Sequence, residues 1–146
     1  MDSSTLTVRE ANASDHPAIV ALLTASGLPT ADIASARPLF FVAWDGSAVV
    51  GAGAIQPFGG SALLRSLVVS DADRGSGLGT ALLLQLEQRA RQSGITEIGL
   101  LTQTAKSFFE KHGYRVVERN EVPALHGSEE FQTLCPASAV CMRKLL

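Results

Sequence analysis

Charge, cysteine and long apolar runs are all scarce in this chain of 146 residues. Twelve basic against fourteen acidic residues leave a formal net charge of −2, which offers nothing to nucleic acid or to an anionic membrane surface. No apolar stretch approaches the roughly 20 residues of a membrane span. Met1-Asp2-Ser3-Ser4 has no basic region and no apolar core behind it, so no signal peptide is expected. The only two cysteines, Cys135 and Cys141, have no Cys or His partners at zinc spacing, so no metal site is expected. Both read as reduced thiols, buried filler rather than arsenic ligands, in a cytoplasmic protein. Repeats and low-complexity linkers are missing too. A hydrophobic share of 46% with only 18% charged residues then describes a soluble globular chain, one domain spanning 1–146.

What is present is a glycine-rich turn, Arg74-Gly75-Ser76-Gly77-Leu78-Gly79-Thr80. Before it lies the apolar run Leu63–Val69, the length of a buried strand. After it, Leu78, Leu82, Leu83, Leu86 and Ala90 fall on one helical stripe, with Glu87, Arg89 and Arg91 expected to turn away. Glycines let the backbone turn sharply and bring N–H groups to a helix N-terminus, where orphan donors and the macrodipole favour an anion. The pattern therefore reads as a phosphate or pyrophosphate cradle. A Walker-type loop would need Lys followed by Ser or Thr, and the dinucleotide fingerprint would need Gly at position 80 or 82; neither occurs.

The rest of the chain reads as alternating strands and short helices. Leu6–Glu10 is an opening strand. Ser14 or Asp15 can cap a helix from Pro17 toward Gly27, and a second helical turn is expected near 28–32. Leu39–Trp44, Asp45-Gly46 and Ala48–Ile55 form a hairpin. Glu97–Thr102 is the next strand, and Thr104 can cap a short helix carrying Ala105, Phe108 and Phe109 inward, closed by Gly113. Tyr114–Val117 and Ser138–Met142 are the last strands, with loop and one or two helical turns between. The order is α+β rather than regular βαβ repetition.

Read as Arg-x-x-Gly-x-Gly from Arg74 to Gly79, the turn resembles the acyl-CoA pyrophosphate motif of the GNAT N-acetyltransferase superfamily. Ala105–Tyr114 is similar to that superfamily's A-x-x-F-Y-x-x-x-G-F helix, and the element order also resembles it along essentially the whole chain. Leu100–Ala105, Phe108-Phe109, Pro123 and Cys135–Ala139 resemble the arsenic-resistance branch; the Leu-Thr-x-Thr-Ala stretch also resembles bacterial N-acetylglutamate synthases. The resemblance implies the GNAT fold: a mixed, mostly antiparallel sheet of six or seven strands, splayed between the fourth and fifth, with helices on both faces. It implies acetyl-CoA as cosubstrate and a small-molecule amine as acceptor, amino-acid-like and carrying a carboxylate. A homodimer exchanging the C-terminal strand is compatible with it.

The same resemblance assigns the cofactor site. Leu67, Val68 and Val69 would pair through their backbones with the pantetheine arm. The N–H groups of Gly75, Ser76, Gly77, Leu78, Gly79 and Thr80, with Arg74, would hold the diphosphate, and Phe108 and Phe109 would lie beside the thiol end. Arg65 interrupts an apolar strand, and alternation places it with Leu63 and Leu67; it is expected to fork onto a substrate carboxylate, or else to pair with Glu10, Glu97 or solvent. The superfamily's usual acid and base are not carried over: Leu63 stands where many members have glutamate, Phe109 where many have tyrosine, and Thr102 where asparagine is common. Water is then expected to take the amine proton, with Gln56, Thr102 and Ser138 as polar relays and substrate contacts. Glu129 or His126 folding over the site is an alternative, and His112 reads as a charge partner for a helix C-terminus. The competing functions are glutamate N-acetylation and a non-catalytic acyl-CoA sensor.

Overall fold

In a computed structural model of the chain, residues 6–28, 30–33, 38–70, 73, 75, 77–128, 131 and 138–146 are described. Ten elements organise them: β1 (Thr7–Glu10), α1 (His16–Ala25), β2 (Leu39–Trp44), β3 (Val49–Phe58), β4 (Ser61–Val69), α2 (Leu78–Gln92), β5 (Glu97–Thr102), α3 (Lys106–Lys111), β6 (Arg115–Val116) and β7 (Val140–Leu145). Short 3-10 turns add Ala13–Asp15, Arg119–Glu121 and Pro123–Gly127. The strands form one sheet in the order β1-β2-β3-β4-β5-β7-β6. Every neighbouring pair is antiparallel except β4 and β5, which the α2 crossover makes parallel.

Alternation along β2 sends Phe40 and Val42 to a cluster with Ile19 and Leu23 of α1, and Phe41 and Ala43 to the opposite cluster with Leu82, Leu83 and Leu86 of α2. Helices therefore cover both faces, as the α+β expectation required. The chain differs from expectation at several ends for local reasons. Asp15 is the N-cap residue of α1 but makes no side-chain capping bond to it; the capping box lies one turn earlier, where Asn12 accepts the Ser14 N–H while Asp15 accepts the Asn12 N–H. The helical turn expected near 28–32 is found at Thr30–Ile33 among the described residues, with the Ile33 N–H donating to the Thr30 carbonyl at 3.3 Å and Ile33 itself helical. Thr102, rather than Thr104, supports α3, because its Oγ1 accepts the Ala105 N–H at 3.0 Å. The last strand runs on through Arg143 and Lys144 because both stay paired with β5, opposite Gly99 and Ile98, and their side chains reach Glu97 at 3.8 Å and Glu87 at 3.1 Å.

Glu87 corrects the sequence reading outright. It is 1% exposed, on the inner stripe of α2 beside Leu83 and Ala90. Its carboxylate accepts from Tyr114 Oη at 2.9 Å and from Lys144 Nζ at 3.1 Å, which compensates its burial and ties α2 to the strands across the core.

Between Ala52 and Ala54 the β3–β4 register slips: Ala52 faces Val68 and Ala54 faces Arg65, so Gly53 stands opposite both Ser66 and Leu67. This is a β-bulge, with Ser66 at φ 61, in the left-handed region. One extra residue reverses the alternation beyond it. Arg65 stays on the α1 face with Leu63, but Leu67 turns to the α2 face, where it and Leu86 fill the space a Gly53 side chain would need, each 2.9 Å from that Cβ position. Arg65 and Leu67 thus occupy opposite faces, contrary to the alternation argument.

On the α1 face the Arg65 guanidinium grips Asp32, Nη2 to Oδ1 at 2.6 Å and Nη1 to Oδ2 at 2.5 Å, with side-chain exposures of 0% and 1%. The partner is none of those expected. Hydrogen bonds from Arg65 hold the Asp32 carboxyl below the ordinary carboxylate range, against the opposing effect of burial. Asp32→Ala strands a buried guanidinium, so chemical denaturation should show a loss of about 3–5 kcal/mol, and a paired Asp32→Leu, Arg65→Met variant should recover most of it. A loss under about 1 kcal/mol in the single variant would contradict the pairing. Because the folded carboxyl lies below its unfolded value of about 3.9, its contribution is present above that pH and is lost as pH falls through the lowered folded value. Stability of the wild type should therefore drop more steeply in acid than that of the Asp32→Leu, Arg65→Met variant.

Candidate active site

The parallel ladder between β4 and β5 holds only at Ser61↔Glu97, Ala62↔Ile98 and Leu63↔Gly99. Beyond Leu63 the strands part, β4 bending at the Ser66 bulge and β5 continuing to Thr102 beside β7. A cavity of about 540 Å³ fills the wedge between them. Its walls are Leu64–Val69 of β4, Leu100–Thr102 of β5, Ala105, Phe108 and Phe109 around α3, Ser26–Leu28 after α1, Gly79 of α2, and Ala139. That volume suits a small molecule or an extended arm, and it opens beside the N-terminus of α2.

The expected cofactor residues largely converge here. Leu67, Val68 and Val69 line the wedge, and so do Phe108, Phe109 and Gly79. Phe108 and Phe109 pack edge to face at 5.2 Å, Phe109 buried in the core and Phe108 half-buried at the wall. Gly75 and Gly77 take φ 82 and 86, the left-handed turn that delivers Gly77 as N-cap of α2 and leaves the first-turn N–H groups of Leu78, Gly79 and Thr80 pointing out of the helix end. The Leu78 side chain itself is core, packed with the α2 stripe. Arg74 and Ser76 lie outside the described residues, as do Glu129 and Cys135.

The polar candidates separate. Thr102 lines the wedge, its oxygen accepting from Ala105. Gln56 does not; it stands behind the wall with its carbonyl 3.5 Å from Arg65 Nη1. Ser138 is exposed and only its neighbour Ala139 lines the cavity. Arg65 lines it too, but both Nη atoms donate to Asp32, which occupies the place expected for a substrate carboxylate. His126 is turned elsewhere, its Nε2 2.7 Å from the Arg119 carbonyl and its ring beside Phe131. His112 does not simply face the end of α3: its Nε2 lies 3.2 Å from Thr80 Oγ1.

The lining is chemically bare. Among the described residues Arg65, whose guanidinium stays charged throughout, is the one ionisable side chain that lines the cavity. Tyr114, the one tyrosine, is held by Glu87 away from it, its phenol pushed far up by burial and then by the Glu87 charge. The sequence reading missed the bulge at Ser66, the Asp32 partner, the Ser26–Leu28 wall and the Thr80–His112 contact. A serine inside an apolar strand was the one available sign of the first; the others join residues distant in the chain. Cys141 sits in a separate cluster with Leu63, Val122 and Leu125, and burial pushes its thiol up. Alkylation followed by peptide mass spectrometry should find Cys141 at least a hundredfold slower in the folded protein than in denaturant; equal rates would show an accessible thiol.

Among the described residues no helix is long and apolar enough to cross a membrane, and no group of three His, Cys, Asp or Glu could hold a metal. A family model described as an acetyltransferase (GNAT) domain matches residues 36–116, which contain β2 through β6 and thus both walls of the wedge. An uncharacterized N-acetyltransferase of Bacillus subtilis, YjcF, is 36% identical over 81 residues, covering 55% of this chain and 58% of that relative. The chain thus matches little more than half the length of that curated relative. Rv2747 from Mycobacterium tuberculosis, solved in complex with CoA, superposes with a TM-score of 0.79 at 25% identity, over 96% of this chain and 99% of that one. N-acetylglutamate synthase from Neisseria gonorrhoeae, solved with coenzyme A and N-acetyl-glutamate, superposes at 0.82 with 21% identity over 97% of this chain and 35% of the other, a likeness of fold. With the strand order, the broken parallel ladder and the glycine turn already in place, the match is to a shared architecture and a shared sequence pattern together: the chain belongs to the GNAT acetyltransferase domain family.

Proposed function

We propose that this chain, as a single domain, is an acetyl-CoA-dependent N-acetyltransferase acting on the amine of a small molecule. The observation that carries the reading is the ladder ending at Leu63↔Gly99 with a cavity of about 540 Å³ directly beyond it, beside the α2 N-terminus. The pantetheine arm pairs with the backbone of Leu67 to Val69, completing the sheet where β5 leaves it. Its diphosphate takes the N–H groups of Gly75 to Thr80, with Arg74 as a charged partner. Phe108 and Phe109 wall the thiol end. CoA-bound relatives of the same architecture support this seat.

With cofactor and acceptor bound together, the amine nitrogen attacks the thioester carbonyl. A carbon–nitrogen bond forms, the carbon–sulfur bond breaks as the tetrahedral intermediate collapses, and the thiolate takes a proton. A β4 backbone N–H next to the bulge stabilises the oxyanion, worth about 3 kcal/mol where such donors have been removed elsewhere. Among the described residues no side chain free to act as base lines the wedge, and in this reading water carries the amine proton, with the Thr102 hydroxyl as relay. The acceptor enters past Ser26–Leu28. The acceptor class this reading favours is a small amino acid or an amino-acid-like toxin, an arsenical or phosphinic glutamate analogue among them, with glutamate itself second. Arg65 then serves by fixing the bulge through Asp32, and it meets a carboxylate only when Asp32 is displaced.

The bare lining also favours a second reading, a domain that binds acyl-CoA without turnover. Purified protein given acetyl-CoA and an amine panel, with glutamate and its arsenic and phosphinic analogues, decides between them: the enzyme releases free thiol with one acceptor class, the binding module with none. Gly77→Val forces a branched side chain to φ 86, which costs about 1–2 kcal/mol and disturbs the α2 end. It should raise the KM for acetyl-CoA at least tenfold, and an unchanged KM would remove the diphosphate seat.

A further inference from the structure

The C-terminus of α3 and the first turn of α2 are joined by side chains at the mouth of the wedge. His112, just past α3, places Nε2 3.2 Å from Oγ1 of Thr80. Its ring also leans on Phe108, centroids 4.8 Å apart, and the Phe108 ring in turn lies 3.5 Å from where a side chain on Gly79 would begin. Thr80 is the third residue of α2, so its own N–H is one of those that the helix itself leaves unsatisfied.

A hydroxyl has one hydrogen, and its direction decides what it can offer an anion. If Thr80 donates to the ring nitrogen, it shows an incoming phosphate only lone pairs, which repel it. If Nε2–H donates to Oγ1, the threonine hydrogen is released toward the helix end. We propose that His112 is a positioning residue for acetyl-CoA: Nε2–H donates to Thr80 Oγ1, and Thr80 in turn donates to a diphosphate oxygen. This rests on the diphosphate seat at the α2 N-terminus. It also explains why a histidine stands at that point: its ring packs on Phe108 while its nitrogen reaches across to the other helix.

Binding measurements test the relay without any acceptor. CoA is titrated calorimetrically, and pantetheine, which lacks the diphosphate, is measured by displacement of CoA. His112→Phe keeps a ring on Phe108 but has no donor; His112→Gln keeps a nitrogen near the Nε2 position. His112→Phe and Thr80→Val should each lower the preference for CoA over pantetheine about tenfold, the effect of one hydrogen bond to a charged oxygen. The double variant should be no worse than either single one, and His112→Gln should recover most of the preference. Equal weakening of both ligands, additive single effects, or a glutamine variant no better than phenylalanine would overturn the relay. A wild-type protein binding CoA no more tightly than pantetheine would remove the seat itself, and both readings with it.

Discussion

Parallel pairing between β4 and β5 stops at Leu63↔Gly99, and the consequences of that stop organise the molecule. Two parallel strands joined by a helix would ordinarily zip along their shared length, since each further residue satisfies backbone groups. Here the Ser66 bulge bends β4 away, while β7 holds β5 on its other side through Thr102↔Val140. The sheet thereby remains one sheet at its base and opens into two walls at its tip. The cavity lies in that opening, and the left-handed glycine turn brings the α2 N-terminus to its mouth.

Two buried ionic groups tie the walls to the elements packed behind them. On the α1 face, Arg65 next to the bulge grips Asp32; on the other, Glu87 of α2 takes Tyr114 and Lys144. Neither arrangement is needed to bury area, and apolar replacements of similar volume often serve stability as well. What each does is join specific elements in one register, the segment after α1 to β4 and α2 to β7. Such pairs fix geometry where packing alone would tolerate sliding, which suits a site that depends on where two strands part. Among the described residues the cavity lining carries Arg65 as its one ionisable side chain, and in the proposed reaction orientation and backbone donors take the place of a side-chain base.

Local features were legible in the sequence. The α2 stripe, the Asp45-Gly46 hairpin, the boundaries of β5 and the glycine turn all follow from spacing within a dozen or so residues, and together they led to the right architecture. What stayed hidden depended on partners far along the chain. Leu67 changes face because of a one-residue slip against β3, which no pattern within β4 displays. Glu87 looks like a solvent residue by its charge until Tyr114 and Lys144 arrive from elsewhere to satisfy it. Arg65 was rightly singled out as a cation in an apolar strand, but its partner, Asp32, is 33 positions away in a segment with no strong local signal. His112 gave the same difficulty on a smaller scale, since its contact with Thr80 joins the ends of two helices.

The central claim is that an acyl-CoA arm takes the place of the missing β4–β5 pairs. Backbone amide hydrogen exchange, followed with and without CoA, tests it directly. The account predicts that exchange slows selectively at Leu67 to Val69 and through Gly75 to Thr80, the amides that would bond the pantetheine arm and the diphosphate. Saturating CoA with no slowing at those amides, or with protection confined to another face of the sheet, would contradict it.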